Sequence, residues 1–372
     1  MSTIAVHDPT RVVDAGGYRV TIGAGLRHEF AALVAAAAPA HHYAVVTDDD
    51  VAPHYADAIV ADLARHGRAT VHRMRAGEAH KTRDTWARLT DDLLAAGCGR
   101  DTTVVALGGG VVGDMAGFVA ATFMRGVPVV QCPTSLLAML DASVGGKTGV
   151  DTAAGKNLVG AFHQPSAVLI DVETLRTLSL AHRRAGLAEA IKHGVVADAA
   201  YFARVESLIP ALLAGESSAT LEIVAHSVEI KASVVRADSH ESGLRKTLNF
   251  GHTIGHAIEQ ASGYALLHGE AVAIGMVLEA RLAERIGVAE RGTAREIERV
   301  VRAAALPVSR PASLSAGVVL DAARHDKKAR AGAMAYALPA RIGAMAGAER
   351  DWAIEVGDSL VLEVLEVLEV LA

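Results

Sequence analysis

Short apolar runs of the strand type alternate with longer runs of helical periodicity through the first half of the chain. Residues 12–13 and 18–22 predict a hairpin that turns at Gly16 and Gly17. Further strands are predicted at residues 43–47, 70–75, 102–107 and 127–132, and helices at residues 26–38, 52–66 and 82–96. Strands that alternate with helices in this way indicate a parallel sheet built from βαβ crossovers.

The second half of the chain has a different pattern of hydrophobic residues, because strand patterns nearly vanish after residue 171. Helices are predicted at residues 183–197, 199–214, 219–237, 249–261, 270–286 and 293–305. A strand-like piece at residues 333–338 predicts a small hairpin, and the Leu-Glu-Val repeat of residues 359–372 predicts a terminal helix. The pattern therefore predicts an α/β domain with a parallel sheet followed by an all-α domain, divided after residue 175.

Composition describes an ordinary globular protein of 372 residues, with 51% hydrophobic and 21% charged residues. A net charge of −6 gives no reason to expect a nucleic-acid partner. Two cysteines, Cys98 and Cys132, form neither a disulfide framework nor a thiolate metal site. No secretory signal is visible, and the apolar run at residues 30–38 is too short for a bilayer. We expect a cytoplasmic protein with no membrane partner.

One part of the second half carries a cation, an amide and three imidazoles. On a continuous helix, Arg245, Asn249, His252 and His256 would share one face, which suits the wall of a polar pocket better than a core. The spacing of His252 and His256 is that of two imidazoles binding one ion, although paired histidines also occur as surface or core residues. His268 can reach the same place only through tertiary folding.

A glycine-rich turn and two lysines predict an anion site in the first half. The segment from Gly108 to Gly113 satisfies G-x-G-x-x-G, which is typical of a dinucleotide pyrophosphate site but also of a tight strand-to-helix turn. Asp48, at the end of an earlier predicted strand, could take a ribose hydroxyl. Lys147 and Lys156 are each flanked by glycine, which favours a loop that closes on phosphate or carboxylate over a merely solvated loop.

Taken together, these segments resemble the 3-dehydroquinate synthases of the sugar-phosphate cyclase superfamily. The resembling segments follow the family's order at residues 77–81, 108–125, 133–157, 186–194, 244–259 and 268–276, with a weaker echo at 326–328. The resemblance implies an NAD-binding α/β domain at residues 1–175 and a helical metal- and substrate-binding domain at residues 176–372. It also implies bound NAD, one Zn²⁺ or Co²⁺ ion, and a homodimer.

The resemblance assigns roles residue by residue. It implies that the metal ligands are Glu189, His252 and His268, which moves His256 from the ion to the substrate. The implied catalytic residues are Lys147, Lys192, Arg245, Asn249 and His256. The implied substrate-binding residues are Arg125, Asp141, Asn157, Lys231 and Lys328. The implied NAD contacts are Asp48, Glu78, Lys81, Gly109, Gly110, Asp114, Thr134, Ser135, Lys156 and Thr177.

The implied reaction converts 3-deoxy-arabino-heptulosonate 7-phosphate to 3-dehydroquinate and phosphate, in the shikimate pathway of aromatic amino acid biosynthesis. NAD would oxidise one hydroxyl and be regenerated within each turnover. Relatives of this fold that act on sedoheptulose 7-phosphate (epi-valiolone synthases), glucose 6-phosphate (deoxy-inosose synthases) or an imino analogue (aminodehydroquinate synthases) are the nearest alternatives. The set Lys231, Arg245, Asn249 and His256 favours a substrate with a carboxylate, but does not exclude the imino analogue.

Two further classes remain as alternatives. A metal-dependent alcohol dehydrogenase of the glycerol dehydrogenase type has related domains, but its small uncharged substrates give no role to Lys147, Lys192, Lys231 and Arg245. A non-catalytic NAD-binding or regulatory protein has no need of the intact set of metal ligands and cations.

Overall fold

The computed structural model describes residues 10–153, 155–326 and 333–367. The chain divides into two compact units. The first unit is Met1–Ser179 with Gly215–Ala232, and the second is Leu180–Ala214 with Ser233–Ala372. Among the residues that the structure describes, no helix combines the length and the hydropathy needed to cross a membrane.

The first unit is built on a seven-stranded sheet and a separate hairpin. Its strands are β1 Arg11–Asp14, β2 Arg19–Gly23, β3 His42–Asp48, β4 Arg68–Met74, β5 Thr102–Gly108, β6 Val129–Pro133, β7 Lys147–Thr152, β8 Gly155–Phe162 and β9 Ala167–Asp171. The sheet has the order β1-β2-β9-β6-β5-β3-β4, and its only antiparallel pair is the predicted hairpin β1–β2. The predicted parallel sheet is therefore confirmed.

Helices cover both faces of this sheet, which is why its central strands β3, β5 and β6 are buried along their whole length. The helices are α1 Phe30–Ala37, α2 Ala52–Leu63, α3 Arg83–Ala95 and α4 Gly110–Thr122. Leu89 of α3 and Met115 of α4 pack in one hydrophobic cluster. Phe30 of α1 and Leu63 of α2 pack in the other, so each pair of helices buries its apolar stripe on one face.

The hairpin of β7 and β8 was not predicted, because its lysines and glycines indicated an irregular loop. The two strands are antiparallel and bring Gly149 opposite Gly160. A Cβ atom on Gly160 would overlap the carbonyl oxygen of Thr148, so the strands pair closely only because this position has no side chain. Strand β9 was not predicted either.

The second unit is mainly helical, as predicted, and its described residues include four short strands. Its helices are α5 Leu180–Ala197, α6 Ala199–Ala214, α8 His252–Ala261, α9 His268–Arg285, α10 Thr293–Ala303, α11 Ala316–Asp326 and α12 Asp358–Val367. The helix α7, Ser217–Ala237, begins in the first unit and ends in the second. The strands are β10 Ala333–Tyr336, β11 Pro339–Arg341, β12 Ala344–Met345 and β13 Ile354–Gly357.

The hairpin predicted at residues 333–338 is wrong, and the predicted terminal helix is described only in part. Strand β10 pairs with β13 rather than forming a hairpin with the residues that follow it directly. The terminal helix α12 is present, but residues 368–372 of the predicted helix lie outside the described residues.

The predicted single helix face through Arg245, Asn249, His252 and His256 is wrong. Residues Leu244–Asn249 form a short 3-10 helix, and α8 begins only at His252. Between them Gly251 has a φ of +79°, a left-handed conformation that interrupts the helix. The two segments therefore present their polar side chains independently.

Candidate active site

A buried carboxylate and two imidazoles meet in the second unit. Glu189 lies in the middle of α5, while His252 and His268 are the first residues of α8 and α9. The Oε1 atom of Glu189 is 3.6 Å from Nε2 of His252 and 3.7 Å from Nε2 of His268. The ammonium group of Lys192, one turn further along α5, forms an ion pair with the same carboxylate. The structure thus brings together the three predicted metal ligands.

The second nitrogen of each imidazole has a partner that fixes the orientation of the ring. Nδ1 of His252 is 3.1 Å from the carbonyl oxygen of Phe250, and Nδ1 of His268 is 3.4 Å from Oε2 of Glu259. Histidines that bind metals usually have such a carbonyl or carboxylate behind them. A set of one carboxylate and two imidazoles also suits zinc with coordination positions left open. These residues therefore fit the metal that the sequence predicts.

Charge affects the two imidazoles in opposite ways. Burial, together with the Lys192 ammonium, holds the pKa of His252 well below its usual value, so its ring is neutral and offers a lone pair. Burial also disfavours the charged form of His268. The attraction of the Glu189 and Glu259 carboxylates for the charged ring outweighs that cost and raises the pKa of His268 to about 9. Without a metal ion, His268 is therefore protonated between two carboxylates, and a bound metal ion would replace the proton on Nε2.

The third imidazole, His256, belongs to the same cluster. Its ring centroid is 5.2 Å from that of His252 and 5.7 Å from that of His268. Nitrogen atoms of all three rings lie within 4.8 Å of one another, close enough to share an ion. The geometry does not separate a metal role of His256 from a substrate role, so its assignment to the substrate stays a prediction.

Arg245 and Asn249 are carried by the 3-10 helix that precedes α8. The side chain of Arg245 is almost fully buried, and its Nη1 donates a hydrogen bond of 2.8 Å to the carbonyl of Ser239. The Nδ2 atom of Asn249 donates to Oε1 of Glu241 at 2.5 Å. Both side chains are therefore anchored to the loop at residues 238–243 that precedes them.

Asp238 organises that loop, and sequence reasoning did not identify it. Its carboxylate accepts hydrogen bonds from the backbone amides of Ser242, Gly243 and Arg245, at 3.0, 2.7 and 3.1 Å, and from the Ser242 hydroxyl at 3.1 Å. Slight burial opposes ionisation of Asp238. The amides outweigh this effect and hold the pKa of Asp238 well below its usual value.

The predicted NAD contacts in the first unit gather where parallel strands end. Strands β3 and β5 are neighbours, but the chain leaves them toward opposite edges of the sheet, to β4 and β6. Such a switch point is the usual binding site of open α/β sheets. Asp48 ends β3, and Gly109 lies between β5 and α4. A Cβ atom on Gly109 would lie 3.3 Å from Oγ of Ser135, so glycine keeps this turn open to an approaching anion.

Asp48 and Thr177 are both held by local hydrogen bonds at this edge. Oδ1 of Asp48 accepts from the amides of Asp50 and Val51 at 3.1 and 2.8 Å. The hydroxyl groups of Thr177 and Tyr55 are 2.8 Å apart. Thr134 directly follows β6, and its amide donates to the carbonyl of Gly108 at 2.9 Å. These contacts order the edge that would receive a nucleotide.

A buried lysine joins several other predicted contacts of the first unit. Nζ of Lys81 is 2.5 Å from Oδ2 of Asp114 and 2.6 Å from Oδ1 of Asn157. Oε1 of Glu78 is 3.8 Å from Lys81 and 3.1 Å from Nζ of Lys156. Burial would lower the pKa of Lys81, but Asp114 and Glu78 raise it above its usual value, so the lysine stays charged. Asn157, predicted to bind substrate, thus contacts Lys81, which is predicted to bind NAD.

The remaining predicted substrate residues are spread over the first unit. Nζ of Lys231 is 2.8 Å from Oδ1 of Asp141 and 2.6 Å from the backbone carbonyl oxygen of Asp141. Lys231 and Asp141 therefore form an ion pair. Lys147 is exposed at the start of β7. Arg125 is exposed, with a φ of +68°. Lys328 lies outside the described residues.

The fold is shared with enzymes of known structure. 2-deoxy-scyllo-inosose synthase, complexed with carbaglucose-6-phosphate, NAD⁺ and Co²⁺, aligns with a TM-score of 0.89 over 96% of this chain and 99% of that chain, at 23% identity. 2-epi-5-epi-valiolone synthase from Streptomyces hygroscopicus subsp. jinggangensis, with NAD⁺ and Zn²⁺ bound, gives 0.84 over 98% and 100%, at 30% identity. The chain thus has the fold of the sugar-phosphate cyclases.

Sequence comparison narrows this class to one family. The family models for the 3-dehydroquinate synthase N-terminal and C-terminal regions match residues 71–185 and 186–329. The 3-dehydroquinate synthase of Symbiobacterium thermophilum is 46% identical over 329 residues, which cover 88% of this chain and 92% of the relative. The chain belongs to the 3-dehydroquinate synthase family, as its sequence motifs predicted.

Proposed function

We propose that this protein converts 3-deoxy-arabino-heptulosonate 7-phosphate to 3-dehydroquinate and phosphate, as a carbon–oxygen lyase that uses NAD and one zinc or cobalt ion. The observation that carries the proposal is the cluster of Glu189, His252 and His268 beside Lys192, in a chain of this family. The relatives of known structure that bind NAD⁺ with Co²⁺ or Zn²⁺ support the two cofactors.

When bound, NAD supplies the transient oxidation and later reduction of one ring hydroxyl, and the metal ion polarises that hydroxyl. Glu189, His252 and His268 would hold the ion. The NAD contacts would be the residues at the strand ends and the Lys81 group. No net oxidation of substrate results, because the hydride that is removed is returned within the same turnover.

The cations of the chain would bind the two anionic groups of the substrate. Arg245 is almost fully buried, so its guanidinium is worth more to a substrate carboxylate than an exposed cation is. Lys147 and Lys192 would balance the charge of the phosphate as its carbon–oxygen bond breaks. Asn249 and His256 would hydrogen-bond ring oxygens and hold the ring in one orientation.

We extend the proposal to the oligomeric state, the cellular location and the domain bounds of the protein. The protein would act in the cytoplasm as a homodimer in which Arg125 reaches the site of the neighbouring subunit. The NAD-binding domain would be residues 1–175, and the metal- and substrate-binding domain residues 176–372. Light scattering on the purified protein tests the dimer directly, since a monomeric mass at assay concentrations contradicts it.

A substrate panel tests the reaction. The purified protein, with NAD and zinc or cobalt, is given one of five compounds: the heptulosonate phosphate, its imino analogue, sedoheptulose 7-phosphate, glucose 6-phosphate or glycerol. Released phosphate and NADH absorbance are then followed together. We expect phosphate release from the heptulosonate phosphate without accumulation of NADH. Preference for another sugar phosphate would refute the substrate, and steady NADH production from glycerol would indicate a dehydrogenase.

A further inference from the structure

Helix α8, which begins with His252, is capped by a residue of another helix. The residue before α8 is Gly251, which has no side chain to accept hydrogen bonds from the first turn. Glu279, on α9, takes that role instead. Its Oε2 accepts from the amide of Gly251 at 2.6 Å, and its Oε1 accepts from the amide of Ile254 at 2.9 Å.

The position of Glu279 inside the protein shows that this contact is specific. Its side chain is fully buried, and its neighbours Leu278 and Ala280 are fully buried too. A carboxylate is stable in such a place only when strong donors compensate for the lost water. The amides at a helix N-terminus are such donors, because the helix dipole adds positive potential there.

The two amides bound by Glu279, those of Gly251 and Ile254, lie on either side of His252 in the sequence. The carboxylate therefore holds the backbone on both sides of this histidine, while Nδ1 of the ring contacts the Phe250 carbonyl. With backbone and ring both held, Nε2 has little freedom except toward Glu189. A shift at the start of α8 would move this nitrogen directly.

The start of α9 has a contact similar to that of Glu279 at the start of α8. Glu259, near the end of α8, faces Nδ1 of His268, the first residue of α9. Glu279, in the second half of α9, faces the first turn of α8. Each helix thus supplies one glutamate to the start of the other, and each start carries one predicted metal ligand.

We infer that Glu279 is a positioning residue for the metal site, which sets His252 at the distance and angle that zinc binding requires. The inference rests on the proposed function, because it assumes that His252 binds the metal. It adds a residue that touches neither metal nor substrate and acts entirely through the backbone of α8.

Zinc affinity tests this role separately from activity. Glu279→Met keeps the length of the side chain but leaves both amides without their acceptor, and should weaken zinc binding about 10- to 100-fold. Glu279→Gln can accept from only one amide and should lose less. Affinity is measured by competition with a chromogenic chelator, and amide exchange at Gly251 and Ile254 is measured in parallel and should become faster in both variants.

Leu365→Ala is the matched control, because it opens a cavity in the hydrophobic cluster of the second unit without removing an acceptor from α8. It should lose thermal stability and keep the zinc affinity of the wild type. Zinc binding by Glu279→Met as tight as that of the control would overturn the inference, and Glu279→Gln decides the matter if the Met variant does not fold. A wild-type protein without zinc affinity would instead refute the proposed metal site, and the inference with it.

Discussion

At the scale of single residues, the second unit concentrates charge where solvent is excluded. Glu189 and Lys192 are each 1% exposed and form an ion pair next to two imidazoles. A buried ion pair of this kind contributes little net stability, because desolvation offsets most of the attraction. Glu189 and Lys192 are therefore better explained by chemistry than by folding.

His268→Ala tests the metal ligands. Removing one of three ligands should abolish stoichiometric zinc binding, because the remaining carboxylate and imidazole leave too few donors for a stable site. Metal content after dialysis against a weak chelator measures this. His163→Ala, which changes a histidine of the first unit, is the control and should keep its zinc. Full occupancy in His268→Ala would remove His268 from the ligand set.

Asp238→Asn tests the loop that anchors Arg245. Since the pKa of Asp238 is lower in the folded protein than in the unfolded chain, its stabilising effect is complete above about pH 4 and is lost as the pH falls further. The melting temperature of the wild type should therefore exceed that of Asp238→Asn by a constant amount from pH 8 to 5. This difference should shrink below pH 4.

The partly exposed Asp62 provides the control, since Asp62→Asn removes a carboxylate that forms an ion pair with the neighbouring Arg65 near the surface. A difference for Asp238→Asn that stays constant down to pH 3 would show that its charge is not what holds the loop. Reduced substrate affinity in the same variant would link the loop to the placement of Arg245.

At the scale of elements, α8 and α9 approach each other through glycines. A Cβ atom on Gly275 would overlap the carbonyl oxygen of Gly251, and one on Gly255 would lie 3.0 Å from the carbonyl oxygen of Ala271. The two helices can therefore lie this close only while both positions lack side chains. This close approach helps bring His252 and His268 to Glu189.

Gly275→Ala should force α8 and α9 apart. Overpacking of this kind costs about 1–3 kcal/mol, and here the obstacle is backbone, which cannot rotate away. We expect a lower melting temperature together with weaker zinc binding. Gly317→Ala in α11 is the control, because a Cβ there meets nothing within 4 Å and should leave stability unchanged or raise it. Unchanged zinc affinity in Gly275→Ala would separate helix spacing from metal binding.

Periodicity predicted most helices and sheet strands to within a few residues, but it missed β9 and α11 and failed where glycine alters the path of the chain. The hairpin of β7 and β8 resembled a loop, because Gly149 and Gly160 replace the side chains that mark a strand. The break at Gly251 resembled a continuous helix, because a single glycine is tolerated within helical patterns. The local sequence pattern does not indicate which backbone segment packs against a glycine in the folded protein.

The site residues were predicted by family resemblance rather than by spacing. Spacing alone paired His252 with His256, whereas Glu189 and His268 come from other helices and meet them only in the folded unit. Glu259 and Glu279 were missed for the same reason. For Glu279 the available signal was a single acid within residues 271–280, a helical run that otherwise contains only apolar residues and glycine. The polar segment around Glu259 carries no such signal.

At the scale of the whole molecule, the two compact units carry different parts of the proposed chemistry. The first holds Asp48, the turn at Gly109 and the Lys81 group, which the proposal assigns to NAD. The second holds Glu189, His252 and His268, which it assigns to the metal. A ligand that binds only the native state stabilises the residues that contact it.

Hydrogen exchange should therefore separate the two ligands. NAD alone should slow exchange in peptides around residues 48–51, 108–115 and 134–136, and zinc alone around residues 187–193, 251–257 and 267–270. Mass spectrometry of peptic fragments resolves these regions. A Lys81→Met protein should lose the first effect and keep the second. Protection by zinc confined to the first group of peptides would contradict the assignment of the metal site.

The dispersal of the metal-facing residues over α5, α8 and α9 bears on how the protein matures. While α9 is still within the ribosome, a divalent ion could meet Glu189, His252 and His256 but not His268, which is the first residue of α9. The full set of Glu189, His252 and His268 forms once α9 has docked against α8. If these residues hold the metal as proposed, tight metal loading is a late event of biosynthesis, and metal content would measure the fraction of molecules whose second unit has completed folding.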